Sequence, residues 1–183
     1  MSAPLALFRL PGPAVDARDC WRTDPRVLRA PLMLLGRERF DLDAASEPGL
    51  NPLADHCITR EMDAHRTVWG RAGDLVWCNP PFSGDGGGKV AWSRLAWTWA
   101  QRGRVVCLLL PVWGDRYAAQ LDAVCSVRIS LTPRVRFLPP PGVQATSPNQ
   151  TPHAIWVLGW RGADRLSVAW DWECQRWVEG MET

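Results

Sequence analysis

The chain reads as an α/β protein built on a mostly parallel sheet with an antiparallel edge. Three observations predict this. The apolar runs 75–78 and 105–110 have the length of fully buried strands, which parallel sheets require. Helical periodicity separates and follows them, over 90–101 and 115–124. The later runs 127–131, 134–138 and 153–158 succeed one another without a helix between them, which calls for antiparallel pairing.

The elements follow in chain order. Residues 1–20 are Pro-rich and weakly patterned, an N-terminal extension to a single domain spanning 21–183. Between Asp24 and Arg37, Leu28, Leu32 and Leu35 predict a helix interrupted or begun near Pro31. Residues 39–43 alternate around Phe40 and Leu42 as a short strand. Residues 44–70 carry Pro48, Gly49 and Pro52 and read as loop, with one helical turn near Glu61.

The strand at 75–78 stops at Asn79-Pro80-Pro81-Phe82, because prolines cannot donate to a sheet ladder. A Gly-rich loop, 83–88, leads into a helix with Trp92, Leu95, Ala96 and Trp99 on one face. Trp97 lies off that face, and core packing is favoured for it over a partner surface. The next helix carries Tyr117, Leu121 and Val124 as its core stripe. Residues 139–152 form a long loop, and 166–172 adds a last strand.

Composition excludes several classes. The 183 residues are 46% hydrophobic and 22% charged, as in a soluble globular protein. A formal net charge of +2 does not announce a nucleic-acid binder. Lys89 is the only lysine; the arginine bias fits either phosphate recognition or a GC-rich genome. Six cysteines without a C-x-x-C pair, and three histidines without ligand spacing, argue against both a disulfide framework and a metal site. With no signal-peptide pattern and no apolar run approaching about 20 residues, the expected location is the cytoplasm.

The Asn79-Pro80-Pro81-Phe82 tip carries the chemistry. The exocyclic amine of adenine is a poor nucleophile because its lone pair is delocalised into the ring. Two acceptors, the Asn79 side-chain oxygen and the Pro80 carbonyl, would bind both amine hydrogens and favour the pyramidal, attacking form. Pro80 restricts Asn79, and Pro81 restricts Pro80, so the acceptors are preorganised. Phe82 would stack on the base, a contact worth about 1–3 kcal/mol. A bare strand terminator is the competing reading. The preceding hydrophobic strand and the following Gly-rich loop and helix weigh against it.

In fixed order, residues 21–158 resemble the phage-type DNA N6-adenine methyltransferase (Dam) family. Trp21-Arg22-Thr23-Asp24-Pro25 is similar to its W-x-T-P opening with one residue inserted. Phe40-Asp41-Leu42-Asp43-Ala44-Ala45 is similar to its F-D-L-D-x-A segment, and Val76–Phe82 to its catalytic strand. Leu109-Leu110-Pro111 and Arg134-Val135-Arg136-Phe137 resemble two further family segments.

The resemblance implies a Rossmann-like, S-adenosylmethionine-dependent methyltransferase fold and methyl transfer to adenine N6 in DNA. It implies catalysis by Asn79, Pro80, Pro81 and Phe82. It also implies a cofactor site at Asp41, Asp43 and Ala44, approached by Trp21 and Thr23. Where many methyltransferases carry a Gly-rich turn, this chain has Ser46-Glu47-Pro48-Gly49. Other planar NH2 substrates, namely an RNA base, cytosine N4 or a protein glutamine, suit the same motif. A relative that binds nucleic acid without catalysis is the rival of a different class.

Three cations are candidates for DNA. Lys89 follows Gly84–Gly88, a loop that either closes over an extruded base or simply links. It is one residue short of a phosphate-hydrolase loop, and Val90 replaces the magnesium-binding Ser or Thr. Arg134 and Arg136 alternate with Val135 and Phe137, so one strand face is cationic, suited to a DNA backbone or to solvent. The chain is short for a separate target-recognition domain. Relaxed sequence recognition or a second subunit in a homodimer is therefore expected.

Overall fold

The computed structural model describes residues 21–81, 88–112, 116–139 and 151–178. Helix α1 (Pro25–Leu34) starts because the Asp24 side chain accepts from the Arg26 N–H and Pro25 fits the first turn. Pro31 lies inside α1 and neither begins nor interrupts it. Strands β1 (Phe40–Asp43), β2 (Ala54–Cys57) and β3 (Leu75–Cys78) follow. Then come α2 (Gly88–Gln101), β4 (Val105–Pro111), α3 (Arg116–Val124) and β5 (Val127–Thr132). Strands β6 (His153–Leu158), β7 (Leu166–Asp171) and β8 (Arg176–Trp177) close the order.

One eight-stranded sheet joins them in the order β2-β1-β3-β4-β6-β5-β7-β8. The β2–β1, β1–β3, β3–β4 and β5–β7 pairs are parallel. Antiparallel pairing falls inside the sheet, where β6 runs between β4 and β5, and again at the two-residue strand β8. The predicted mixed sheet is thus present, with its main antiparallel strand central rather than at the edge.

Each sheet face carries its own core. Leu42, Val76, Leu108, Leu110 and Trp156 cluster with Trp92, Ala96 and Trp99 of α2 and Tyr117 and Leu121 of α3. On the other face, Phe40, Leu75, Trp77, Leu109 and Ile155 cluster with Val27, Leu28 and Leu32 of α1. Trp97 packs against the first cluster, as read from sequence, and Leu95 does so while only partly buried. Val124, expected in the α3 stripe, is exposed instead.

Three local expectations are corrected. Strand β2 lies within 44–70, where only loop was expected. Hydrogen-bonded turns, not a helix, surround Glu61, with Met62 N–H donating to the Thr59 carbonyl at 3.1 Å. Residues 134–137 belong to no strand, although Val135 is buried and Arg134 and Arg136 are exposed. Just beyond it, Leu138 exchanges two backbone hydrogen bonds with Arg22 at 2.8 and 2.9 Å.

Candidate active site

The chain leaves β1 for β2 on one side and returns to β3 on the other, so the strand order reverses between β1 and β3. In open parallel sheets, the crevice beyond the carboxyl ends at such a reversal receives ligands. Asp43 ends β1 and Asn79 follows β3 directly. The seam between them is closed by the Ala44 N–H, which donates to the Trp77 carbonyl at 2.8 Å.

Asp43 is an acid held out of water, only 4% exposed. Its carboxylate accepts from the Ala45 N–H at 3.1 Å and from the Asn51 side-chain amide at 2.7 Å. Burial pushes its pKa up to about 6, against the opposing pull of those two donors. Among the described residues these two donors do not offset the cost of burying the charge.

Asn79 is half-buried. Its Nδ2 donates to the Thr23 hydroxyl at 3.1 Å. Its Oδ1 is buried and meets no donor among the described residues. Buried polar atoms are normally satisfied, so this acceptor marks a place where a donor belongs. Pro80 is buried and Pro81 half-buried beside it. Phe82 lies outside the described residues, as does the 83–87 loop.

The model of the DNA N-6-adenine-methyltransferase (Dam) family matches residues 13–169, most of the chain. The chain belongs to the Dam family. Its activity is accordingly methylation of the N6 amine of adenine, and its substrate is DNA. Comparisons with curated proteins and with solved structures give no match.

Within this Dam-family chain the other candidate residues, Thr23 apart, are dispersed. Trp21 and Thr23 are half-buried ahead of α1. Asp41 is engaged within the fold: its carboxylate accepts from the Leu75 N–H at 2.7 Å and pairs with Arg37 at 3.0 Å. It brackets β1 to the start of β3, away from the carboxyl ends. Lys89 opens α2, with Nζ 5.7 Å from the centre of the Tyr117 ring. Arg134 and Arg136 are exposed on the segment that Leu138 ties to Arg22. Among the described residues, no three His, Cys, Asp or Glu side chains are grouped to hold a metal, and no helix is long and apolar enough to cross a membrane.

Two residues of this region were not singled out from sequence. Asn51 holds Asp43 and shares with Glu47, Asp55 and His56 the lining of a cavity of about 270 Å³. An amide in the loop after a strand-terminal acid is the signal that would have found it. His153 opens β6 opposite Pro111, packed edge-on against Phe137 at 5.1 Å between ring centroids. Burial lowers its pKa to about 4, so the ring is neutral at physiological pH. Its place at the start of an apolar strand, after a long loop, was the available clue.

Proposed function

We propose that this chain moves a methyl group from S-adenosylmethionine to adenine N6, with the Asn79 Oδ1 and the Pro80 carbonyl holding the amine. The observation that carries this reading is the buried Oδ1 of Asn79, which meets no donor among the described residues and stands where the strand order reverses. An amine bound there donates its hydrogens to acceptors and keeps its lone pair for attack. The nitrogen sheds its proton after alkylation, when it is strongly acidic, so the site needs no general base. The target nucleotide leaves the base stack, because its amine is inaccessible within the duplex. Phe82 then stacks on the base and Pro81 shapes the pocket, by resemblance to the family.

The chain's residues fit the cofactor. A buried carboxylate with pKa near 6 is completed by a positive or hydroxylic partner, and the cofactor's ammonium and ribose hydroxyls are both such groups. Asp43 and Ala44 would therefore hold it, with Trp21 joining them by resemblance. When bound, S-adenosylmethionine supplies an electrophilic methyl on a sulfonium sulfur. The sheet order, with its reversal between β1 and β3, supports a Rossmann-like reading of the fold. Arg134, Arg136 and Lys89 are assigned to the DNA backbone.

Replacement of Asn79 by alanine tests the reading. Methylation of adenine-containing DNA is expected to fall by about 100-fold or more, with thermal stability and DNA affinity retained. Full turnover by that variant would exclude the acceptor mechanism.

A further inference from the structure

Thr23 sits 56 positions before Asn79 in the chain, yet its hydroxyl receives the Asn79 amide at 3.1 Å. The family resemblance points Thr23 toward the cofactor. Its contact in the fold is with the amide whose oxygen is proposed to hold the substrate. We propose that Thr23 is a positioning residue for the transfer: it fixes the plane of the Asn79 amide so that Oδ1 stands ready for the adenine amine. This inference rests on the acceptor role of Asn79 and deepens it.

The backbone that carries Thr23 is held on both sides. Arg22, immediately before it, exchanges both of its backbone hydrogen bonds with Leu138. Asp24, immediately after it, is buried and caps α1 by accepting from the Arg26 N–H at 2.9 Å. A charge-assisted contact between Arg26 and Asp24 at 2.8 Å tightens that cap. Thr23 therefore has little freedom to follow a wandering amide; the amide conforms to it. An asparagine side chain turns easily about its last torsion, which is broad and roughly two-fold. With Nδ2 engaged by Thr23, the plane is set and Oδ1 remains as the group directed elsewhere. Preorganisation of that kind matters most in the transition state, where a small misalignment of an acceptor is costly.

The chemistry also sets which variants separate the roles. Serine keeps the hydroxyl and loses a methyl. Valine keeps the shape and leaves Nδ2 without its partner. A cofactor contact would show in cofactor affinity, whereas a positioning contact shows in turnover.

The test uses the full chain with DNA and compares Thr23→Ser, Thr23→Val and Thr23→Ala. Steady-state kinetics give kcat and KM, and calorimetry gives the affinity for S-adenosylhomocysteine. Nitrogen-edited NMR follows the side-chain NH2 pair of Asn79, assigned by its loss in Asn79→Ala. Thr23→Val is expected to lose about tenfold in kcat, with KM and S-adenosylhomocysteine affinity within about twofold of the parent. The Asn79 amide pair should shift in Thr23→Val, and Thr23→Ser should restore both the signal and the rate. Should the valine variant not fold, Thr23→Ala carries the same expectation. Unchanged kcat, or weakened S-adenosylhomocysteine binding with kcat preserved, overturns the proposal. Full methylation by Asn79→Ala would instead overturn the acceptor reading beneath it, and the NMR signal would still report on the Thr23 contact.

Discussion

The Asn51 side-chain amide donates to the Asp43 carboxylate at 2.7 Å, across eight positions of sequence. That bond only partly offsets the burial that raises the Asp43 pKa from 3.8 to about 6. The folded state therefore holds a proton that the unfolded chain releases, and stability falls as pH rises from about 4 to about 6. A shift of this size corresponds to about 3 kcal/mol. Urea denaturation of Asp43→Asn beside the parent should show the variant gaining relative stability across that window. A difference that does not vary with pH would contradict the buried-acid picture.

His153 acts in the opposite sense. Its folded pKa of about 4 lies below the ordinary 6.5, so its contribution is complete above 6.5 and is lost as pH falls through 4. The magnitude is again about 3 kcal/mol. His153→Phe removes the titration and keeps an aromatic ring against Phe137, so its acid-unfolding midpoint should move to lower pH. An unmoved midpoint would show that the ring is already protonated or hydrated in the fold.

Arg134 and Arg136 offer a different test, through salt. If each neutralises one phosphate, replacing both by alanine should reduce the slope of log affinity against log salt by about 2. Affinity should fall alike for specific and unrelated duplexes, because phosphate contacts carry no base information. Filter binding or fluorescence anisotropy across a salt series reads both outcomes.

Trp172 lies beyond the family match, yet it is buried, and its indole N–H donates to the Pro133 carbonyl at 2.8 Å. The Arg26 guanidinium sits 4.8 Å from its ring centre. Trp172→Ala should destabilise the fold by about 3–5 kcal/mol, as large aromatic deletions do. Chemical denaturation measures this directly, and a loss below about 1 kcal/mol would mean the ring is not part of the common core.

The strands most plainly legible in sequence are those buried on both faces. Leu75–Cys78 is apolar throughout and His153–Leu158 is apolar after its first residue, so neither needs partner information to be recognised. Strand β2 escaped because Ala54-Asp55-His56-Cys57 is a half-exposed edge with no hydrophobic signature. The alternation at Arg134–Phe137 was real in burial and misleading in pairing. Val135 is buried in the α1-side core and Phe137 packs partly buried against it, while 134–137 belong to no strand. A period of two reports which side faces the core, not whether a ladder exists.

The site shows the same division. Asp43 and Asn79 could be proposed locally because strand ends beside prolines and acids have a chemical logic. The contacts that orient them, Asn51 on Asp43 and Thr23 on Asn79, depend on how separate segments meet. Asp41 illustrates the converse. It shares a motif with Asp43, but it is turned to the Leu75 N–H and Arg37, where it serves the sheet.

The direct backbone bond from Ala44 to Trp77 has a bearing on how such a protein diversifies. The residues proposed to hold the methyl donor and those proposed to hold the acceptor base are anchored to adjoining strands of one rigid ladder. The arginine-bearing segment 134–137 belongs to no strand of that ladder. Selection for a new target word therefore has surface segments to rewrite while the reacting geometry is inherited intact.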